Sequence, residues 1–379
     1  MSKTGDYYDE CTEHKKVKSE IASAYLFPWA NIVGQHAKEL HYLDLFSGRG
    51  EFKDKSPATP LHVFDKIQEA SIKIPWLLDI LQVSFYEGKK AYYDVLLKSL
   101  KSHNVYSRLK HEPLIKPQKI DAKFIAEISG QIKDATYSFI DPYGYSDISL
   151  DLIDGVSKNW GCDCLFYLSI SGLVRNIQDP EKEESVTQFF GANALKRVKQ
   201  SIAIKPEQIP LSKIIMSEIK NSLRSGSRKY RVIEYCVEFD NVRRESHYLM
   251  FISKHKRGFE IMRDIMLKRG ILDNQGYPFL GFSTTMKEDQ IQTELPLPSN
   301  SQLTFSKRLL ADFAKNEIKV EALLENCLER EYPLADAHVR KLLRFLEIEG
   351  KVKIMRLDKY GKARKNELIQ KHDVIKFLN

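Results

Sequence analysis

The chain has 379 residues, of which 42% are hydrophobic and 29% charged, with a formal net charge of +8. That length suits two domains, or one large domain with an appendage, and leaves ample apolar material for a core. No stretch approaches the ~20 apolar residues that span a bilayer, and the N-terminus is charged throughout with no apolar signal segment, so a soluble cytoplasmic protein without a membrane partner is expected.

Residues 15–40 open with a helical pattern. Val17, Ile21, Ala24, Tyr25, Pro28 and Trp29 recur at three- and four-residue steps, and Pro28 is expected to kink or end the helix. Apolar runs of strand length then alternate with helical patterns. LHYLDLF (40–46) precedes a helix near 61–70, and LQVSFYEG (81–88) a helix over 89–100. A weak strand near 105–109 precedes the helix DAKFIAEISGQI (121–132). TYSFIDPYG (136–144) precedes a helix over 150–158, and CDCLFYLSI (162–170) follows. Strict alternation predicts a parallel sheet with helices on both faces. A polar, helical stretch at about 175–229 reads as an insertion. Beyond it, YRVIEYCVEFD (230–240) and HYLMFISK (247–254) predict an antiparallel hairpin, closed by a helix over 257–270. Five parallel strands ended by a hairpin is the Rossmann-like α/β layout of class I methyltransferases, expected over residues 1–292.

TELPLPSNSQ (293–302) reads as a linker. Three helical patterns follow over 305–315, 320–330 and 334–349, then GKVKIMRL, the turn DKYGKARK, and NELIQK. Helices followed by a basic hairpin predict a winged helix-turn-helix domain over 303–379. From Arg340 to Asn379 the chain holds 12 Lys/Arg against 5 Asp/Glu, so nearly all the excess charge sits there. A localised basic excess is a footprint for a polyanion. Arg340, Lys341 and Arg344 fall on the outer side of the third helix, with Leu342, Leu343, Leu346 and Ile348 on its buried side. Lys359, Lys362, Arg364 and Lys365 surround Tyr360 and Gly361 in the wing turn. These cations are the candidate contacts to DNA or RNA; the other use of such a module is contact with protein.

Asp44, Phe46, Gly48 and Gly50 form D-x-F-x-G-x-G at the end of the first strand. Glycines there let backbone N–H groups approach a ligand closely, and the next helix can offer its positive end. Taken alone, the pattern is equally a tight turn. Glu87 ends the second strand, where an acid accepts both ribose hydroxyls in dinucleotide and S-adenosylmethionine sites. FIDPYG (139–144) ends the fourth strand, beside the first in such a sheet. Asp141, Pro142 and Tyr143 resemble the D/N-P-P-Y/F motif of methyltransferases acting on exocyclic amines. There the polar side chain and a backbone carbonyl accept the amine hydrogens, and the aromatic ring stacks on the base. The alternative is a plain turn. His14 and Lys18 before the first strand, and Arg175 and Asn176 after the fifth, lie at the same end of the sheet. No Ser/His/Asp order, nucleophile elbow or P-loop lysine occurs, and methyl transfer needs none of them. Cys162 and Cys164 would share one side of a strand and read as core packing, the five cysteines suit a reducing compartment, and no histidine spacing suggests a metal.

Together these segments resemble the three-Cys-motif partner protein family (TcmP), a methyltransferase-like family of bacteria and phages. The resemblance runs from about His14 to Gly281 and rests on HKKVKSEIASAYLFPW, LDLFSGRG, SFIDPYG, ISGLVRN and HYLMFISKHKRGFEIMRDIM. The family's glycine segment is typically D-x-F-A-G-x-G followed by G-S-P; here Ser47 replaces the alanine, while Ser56 and Pro57 are kept. The resemblance implies a C-terminal winged helix and a separate partner with a three-cysteine motif acting on the same substrate. Methyltransferases often place an acid after the third strand against adenine. Asp121 is the nearest candidate, or else a helix cap.

The function expected from these residues is S-adenosylmethionine-dependent methylation of nucleic acid, at an exocyclic amine. Asp44, Phe46, Gly48, Gly50, Glu87 and Asp121 would face the cofactor, and Asp141, Pro142 and Tyr143 the acceptor. The alternative is a non-catalytic adaptor that keeps the fold and recruits a partner to DNA or RNA through the winged helix.

Overall fold

The computed structural model describes residues 11–132, 135–204, 210–225, 229–238, 247–272, 278–281, 301–365 and 368–378. They belong to two compact units, Met1–Arg269 with Gly281–Thr285, and Gly270–Leu280 with Met286–Asn379. The expected linker at 293–302 lies outside the described residues except for its last two positions. No described helix is long and apolar enough to cross a membrane.

The first unit is built on one sheet of seven strands. In chain order these are β1 (Leu40–Asp44), β2 (Leu81–Tyr86), β3 (Leu114–Lys116), β4 (Ala135–Ile140), β5 (Asp163–Ser169), β6 (Arg231–Glu238) and β7 (His247–Ser253). Their order across the sheet is β3-β2-β1-β4-β5-β7-β6, all parallel except β7, which is antiparallel to both neighbours. β4 is buried along its whole length because helices cover both faces. On one side of β1 the chain steps to β2, and later returns to β4 on the other. The reversal opens a crevice at the carboxyl ends of these three strands. This strand order is that of the methyltransferase-like α/β fold.

Helix α1 (Glu13–Val33) does not end at Pro28. Tertiary bonds offset the missing proline N–H. Tyr25 donates to Asp163 Oδ2 at 2.7 Å, Trp29 Nε1 to the Gly161 carbonyl at 3.0 Å, and Tyr137 on β4 to the Ala22 carbonyl at 2.8 Å. Helices α2 (Thr59–Lys73), α3 (Leu77–Ile80), α4 (Lys90–Lys101), α5 (Ala122–Gln131) and α6 (Leu150–Ser157) connect the parallel strands. Between β5 and β6 lie α7 (Ile170–Asn176), α8 (Glu183–Phe190), α9 (Ala192–Ile204) and α10 (Leu211–Ser225), and α11 (Lys256–Leu267) follows β7. The weak strand expected near 105–109 is instead a 3-10 turn, Tyr106–Arg108. The third strand falls at Leu114–Lys116, between Pro113 and Pro117, because an edge strand tolerates flanking prolines and exposed side chains.

In the second unit, α12 (Ser301–Phe313), α13 (Val320–Glu329) and α14 (Asp336–Ile348) accompany strands Glu317–Lys319, Val352–Met355 and Val374–Phe377. The Val374–Phe377 strand is central and antiparallel to the other two. Leu309, Phe313, Leu323, Tyr332, Leu342 and Ile375 are among its buried core. Two expectations are corrected. Ile348 is 83% exposed, since it stands two residues beyond Leu346 and therefore turns to the opposite side of α14. The returning strand of the basic hairpin is Val374–Phe377, where apolar side chains alternate, and not NELIQK, of which 366–367 lie outside the described residues.

Candidate cofactor and substrate site

Asp44 is the last residue of β1, in register with Phe85 on β2 and Phe139 on β4. The loop that follows is stitched to both neighbours: Leu45 N–H donates to the Phe139 carbonyl at 3.2 Å and Ser47 N–H to the Tyr86 carbonyl at 3.0 Å. Gly48 (φ 67°) and Gly50 (φ 76°) both sit in the left-handed region, where side chains are disfavoured. A Cβ on Gly50 would also come within 2.9 Å of Leu96 Cδ1. Gly50→Ala is therefore expected to lower the urea midpoint, with a loss of about 1–2 kcal/mol from strain in the loop.

The loop binds its own acid. Glu87, 3% exposed, accepts the Gly48 N–H at 2.9 Å through Oε2 and the Lys89 N–H at 2.7 Å through Oε1. Burial raises its carboxyl above the ordinary value, and the backbone donors act against that rise. Asp44 is fully buried. Its Oδ1 accepts the Phe46 N–H at 3.1 Å, whereas Oδ2 has no hydrogen-bond partner among the described residues. Burial first, and then the neighbouring Asp141, push its pKa up to about 8, against the pull of the Phe46 N–H.

Asp141, one residue past β4, forms an ion pair with Lys18 of α1. Lys18 is 6% exposed at its side chain, and its ammonium also lies 4.6 Å from the centre of the Tyr167 ring. Lys15, Lys18, Asp44, Phe46, Ser47 and Asp141 line one cleft at the strand ends. Pro142 is buried, while Tyr143 is 55% exposed with Lys89 Nζ 4.4 Å from its ring centre. Asp44, Phe46 and Asp141 thus meet in this cleft, with Gly48 and Glu87 bonded to each other at its glycine loop. Asp121 instead caps α5, accepting the Phe124 N–H at 2.9 Å from an exposed position. Asn176 donates to the Tyr145 hydroxyl at 2.7 Å, Arg175 is exposed, and His14 lies within 3.2 Å of the Thr12 hydroxyl.

Lys15 also lines the cleft, although no motif marks it, and Ser47 and Lys18 are marked only by the glycine segment and by position. The signal was present: Lys15, Lys18, Ala22, Tyr25 and Trp29 share one helical face, so two lysines stand on an apolar stripe. Cys162 and Cys164 are buried and free, and no group of metal-ligating side chains occurs among the described residues.

In the second unit Lys341, Arg344, Lys359, Lys362 and Lys365 are exposed, and Lys359 Nζ lies 4.8 Å from the ring centre of exposed Tyr360. Asp358 Oδ1 holds the turn by accepting the Tyr360 N–H at 2.9 Å and the Lys362 N–H at 2.8 Å. Arg340 and Arg364 also have internal work. Arg340 donates to the Ile369 carbonyl at 2.7 Å, and Arg364 to buried Asp373 Oδ2 at 2.6 Å and to the Leu357 and Leu368 carbonyls. Arg364 therefore pins the hairpin to its return strand.

No family model and no curated protein matches the sequence. Among solved structures, a Legionella pneumophila protein of the DUF519 family is similar at 10% identity, covering 68% of this chain and 92% of that one, with a TM-score of 0.40. An S-adenosylmethionine-dependent methyltransferase from Clostridium acetobutylicum is similar at 14% identity over 42% of this chain and 54% of its own, TM-score 0.26. Aeropyrum pernix fibrillarin with natively bound S-adenosylmethionine is similar at 13% identity over 61% and 76%, TM-score 0.27. The strand order, not these distant likenesses, defines the fold.

Proposed function

We propose that this chain is an S-adenosylmethionine-dependent methyltransferase acting on an exocyclic amine of nucleic acid, together with a separate cysteine-motif partner. The observation that carries the reading is the buried Asp44 Oδ2, without a hydrogen-bond partner among the described residues, in the same cleft as Asp141 and beside a glycine loop bonded to Glu87. The residues fit the cofactor. Each Glu87 oxygen takes one backbone N–H and keeps a lone pair for a ribose hydroxyl. Asp44 Oδ2 fits an ammonium donor such as that of the methionine moiety. Bound S-adenosylmethionine would supply an already activated methyl group.

The chain's own residues would then align the acceptor. Asp141 accepts an amine hydrogen, exchanging the Lys18 ammonium for it, and the exposed Tyr143 ring receives the base. A base in a duplex would have to be flipped to reach them. We read the second unit as a winged helix whose exposed lysines and Arg344 hold the phosphate backbone, with affinity that falls steeply with salt. Transfer of labelled methyl from S-adenosylmethionine to total DNA or total RNA tests the reading. Label in one pool, lost in Glu87→Ala, is expected.

One observation favours the adaptor reading. Lys18 already occupies the carboxylate that an acceptor amine needs. If the protein binds S-adenosylhomocysteine and nucleic acid yet labels neither pool, with the cysteine-motif partner present, the adaptor reading takes its place.

A further inference from the structure

A second concave surface adjoins the glycine loop and shares no lining residue with the cleft of Asp44 and Asp141. It is a groove of about 490 Å3 between that loop, α2 and α4. Arg49, set between Gly48 and Gly50, lines it, and Arg49 Nε is buried with no hydrogen-bond partner among the described residues. The backbone beneath is fixed: Ala58 N–H donates to the Gly50 carbonyl at 2.8 Å, and Glu51 pairs with Pro57 as a β-bridge. From α4 and the residue after it, Lys98, Ser99 and Ser102 complete the wall.

The acids of the groove are already committed. Glu51 pairs with Lys55 at 2.6 Å, and Asp94 with Lys90 at 2.6 Å. His103 faces Asp65 at 3.1 Å. Arg49 and Lys98 have no ion-pair partner among the described residues. A buried guanidinium nitrogen without an acceptor is costly unless a ligand supplies one. Its planar fork matches phosphate oxygens, and Lys98 adds charge, while the Ser102 hydroxyl is already given to the Ser99 carbonyl at 2.8 Å.

We infer that this groove is a phosphate subsite for the backbone of a nucleic-acid strand whose target nucleotide enters the adjoining cleft. The inference rests on the nucleic-acid reading above and extends it. It assigns the first unit a strand-binding surface of its own and places that surface one residue from the glycine that bonds Glu87. Substrate engagement would thus act directly on the loop that faces the cofactor.

The test is fluorescence anisotropy of a labelled single-stranded oligonucleotide with the full-length protein across a salt series. In Arg49→Ala/Lys98→Ala the slope of log affinity against log salt is expected to become shallower by about 1.4, roughly 0.7 for each phosphate no longer neutralised. Lys98→Ala alone should leave S-adenosylhomocysteine affinity unchanged, and Arg49→Lys should keep the slope. A double variant with the wild-type slope, beside a Lys362→Glu variant whose slope does fall, would overturn the inference. Heat from inorganic phosphate that disappears in the double variant while the oligonucleotide slope stays the same would mark a free-phosphate site and overturn the strand assignment. No oligonucleotide binding by the wild type removes the nucleic-acid reading itself, which the slope comparison keeps separate.

Discussion

Asp44→Asn is expected to make the cofactor-free protein more stable at pH 8 while removing most of its affinity for S-adenosylhomocysteine. The carboxyl of Asp44 is fully buried, one oxygen has no hydrogen-bond partner among the described residues, and burial raises its pKa from 3.8 to about 8. An acid whose folded pKa is raised binds a proton that the unfolded chain has already released. Its contribution is therefore full below about 3.8 and is lost as pH climbs toward about 8. Across that window the cost is on the order of 6 kcal/mol, at 1.36 kcal/mol for each pH unit. Asparagine carries no such burden, so the melting temperature of the variant should overtake that of the wild type as pH rises. On the proposed reading it would forfeit a charge-assisted bond to the ligand ammonium, a loss of about 1.5–3 kcal/mol, or roughly tenfold to a hundredfold in affinity. Wild-type affinity should also rise with pH until Asp44 ionises near 8, whereas the variant should lack that rise. Calorimetry and thermal melts over the same pH series check both halves.

Asp141→Ala is expected to reduce methyl transfer by about 100- to 1,000-fold, the scale of losing a preorganised hydrogen-bond acceptor for the amine. Asp141→Asn should retain far more activity, because an amide oxygen can also accept the amine hydrogen. The alanine variant strands Lys18 in a cleft where its side chain is 6% exposed, so it should lose about 3 kcal/mol of stability as well. Lys18→Met combined with Asp141→Ala should recover stability without recovering transfer. That separates the acceptor role from the ion pair: recovered transfer would show that Asp141 serves only to hold Lys18.

The sheet was legible because its evidence is repetitive. Each of β1, β2, β4 and β5 is an apolar run followed by a helical pattern, and the hairpin of β6 and β7 announces itself by composition. The edge strand β3 was not, since three residues between prolines carry little periodicity and their burial gives no help. Pro28 misled for the opposite reason. The local rule says a helix kinks or ends there, and the helix runs on to Val33, with Tyr25 and Trp29 bonded to distant residues. In the site, Glu87 and Asp141 were readable from position at strand ends. The Lys18 partnership joins residues 123 positions apart, and no spacing rule encodes it. Arg364 shows the reverse error. It reads as part of a basic turn, yet its guanidinium is consumed by Asp373 and two carbonyls.

Isothermal titration of the wild-type protein with S-adenosylhomocysteine at pH 8 tests the central claim most directly. A single site in the micromolar range, weakened at least tenfold in Glu87→Ala and in Asp44→Asn, is the result this account predicts. No heat at millimolar ligand, in protein shown to be folded, would contradict it.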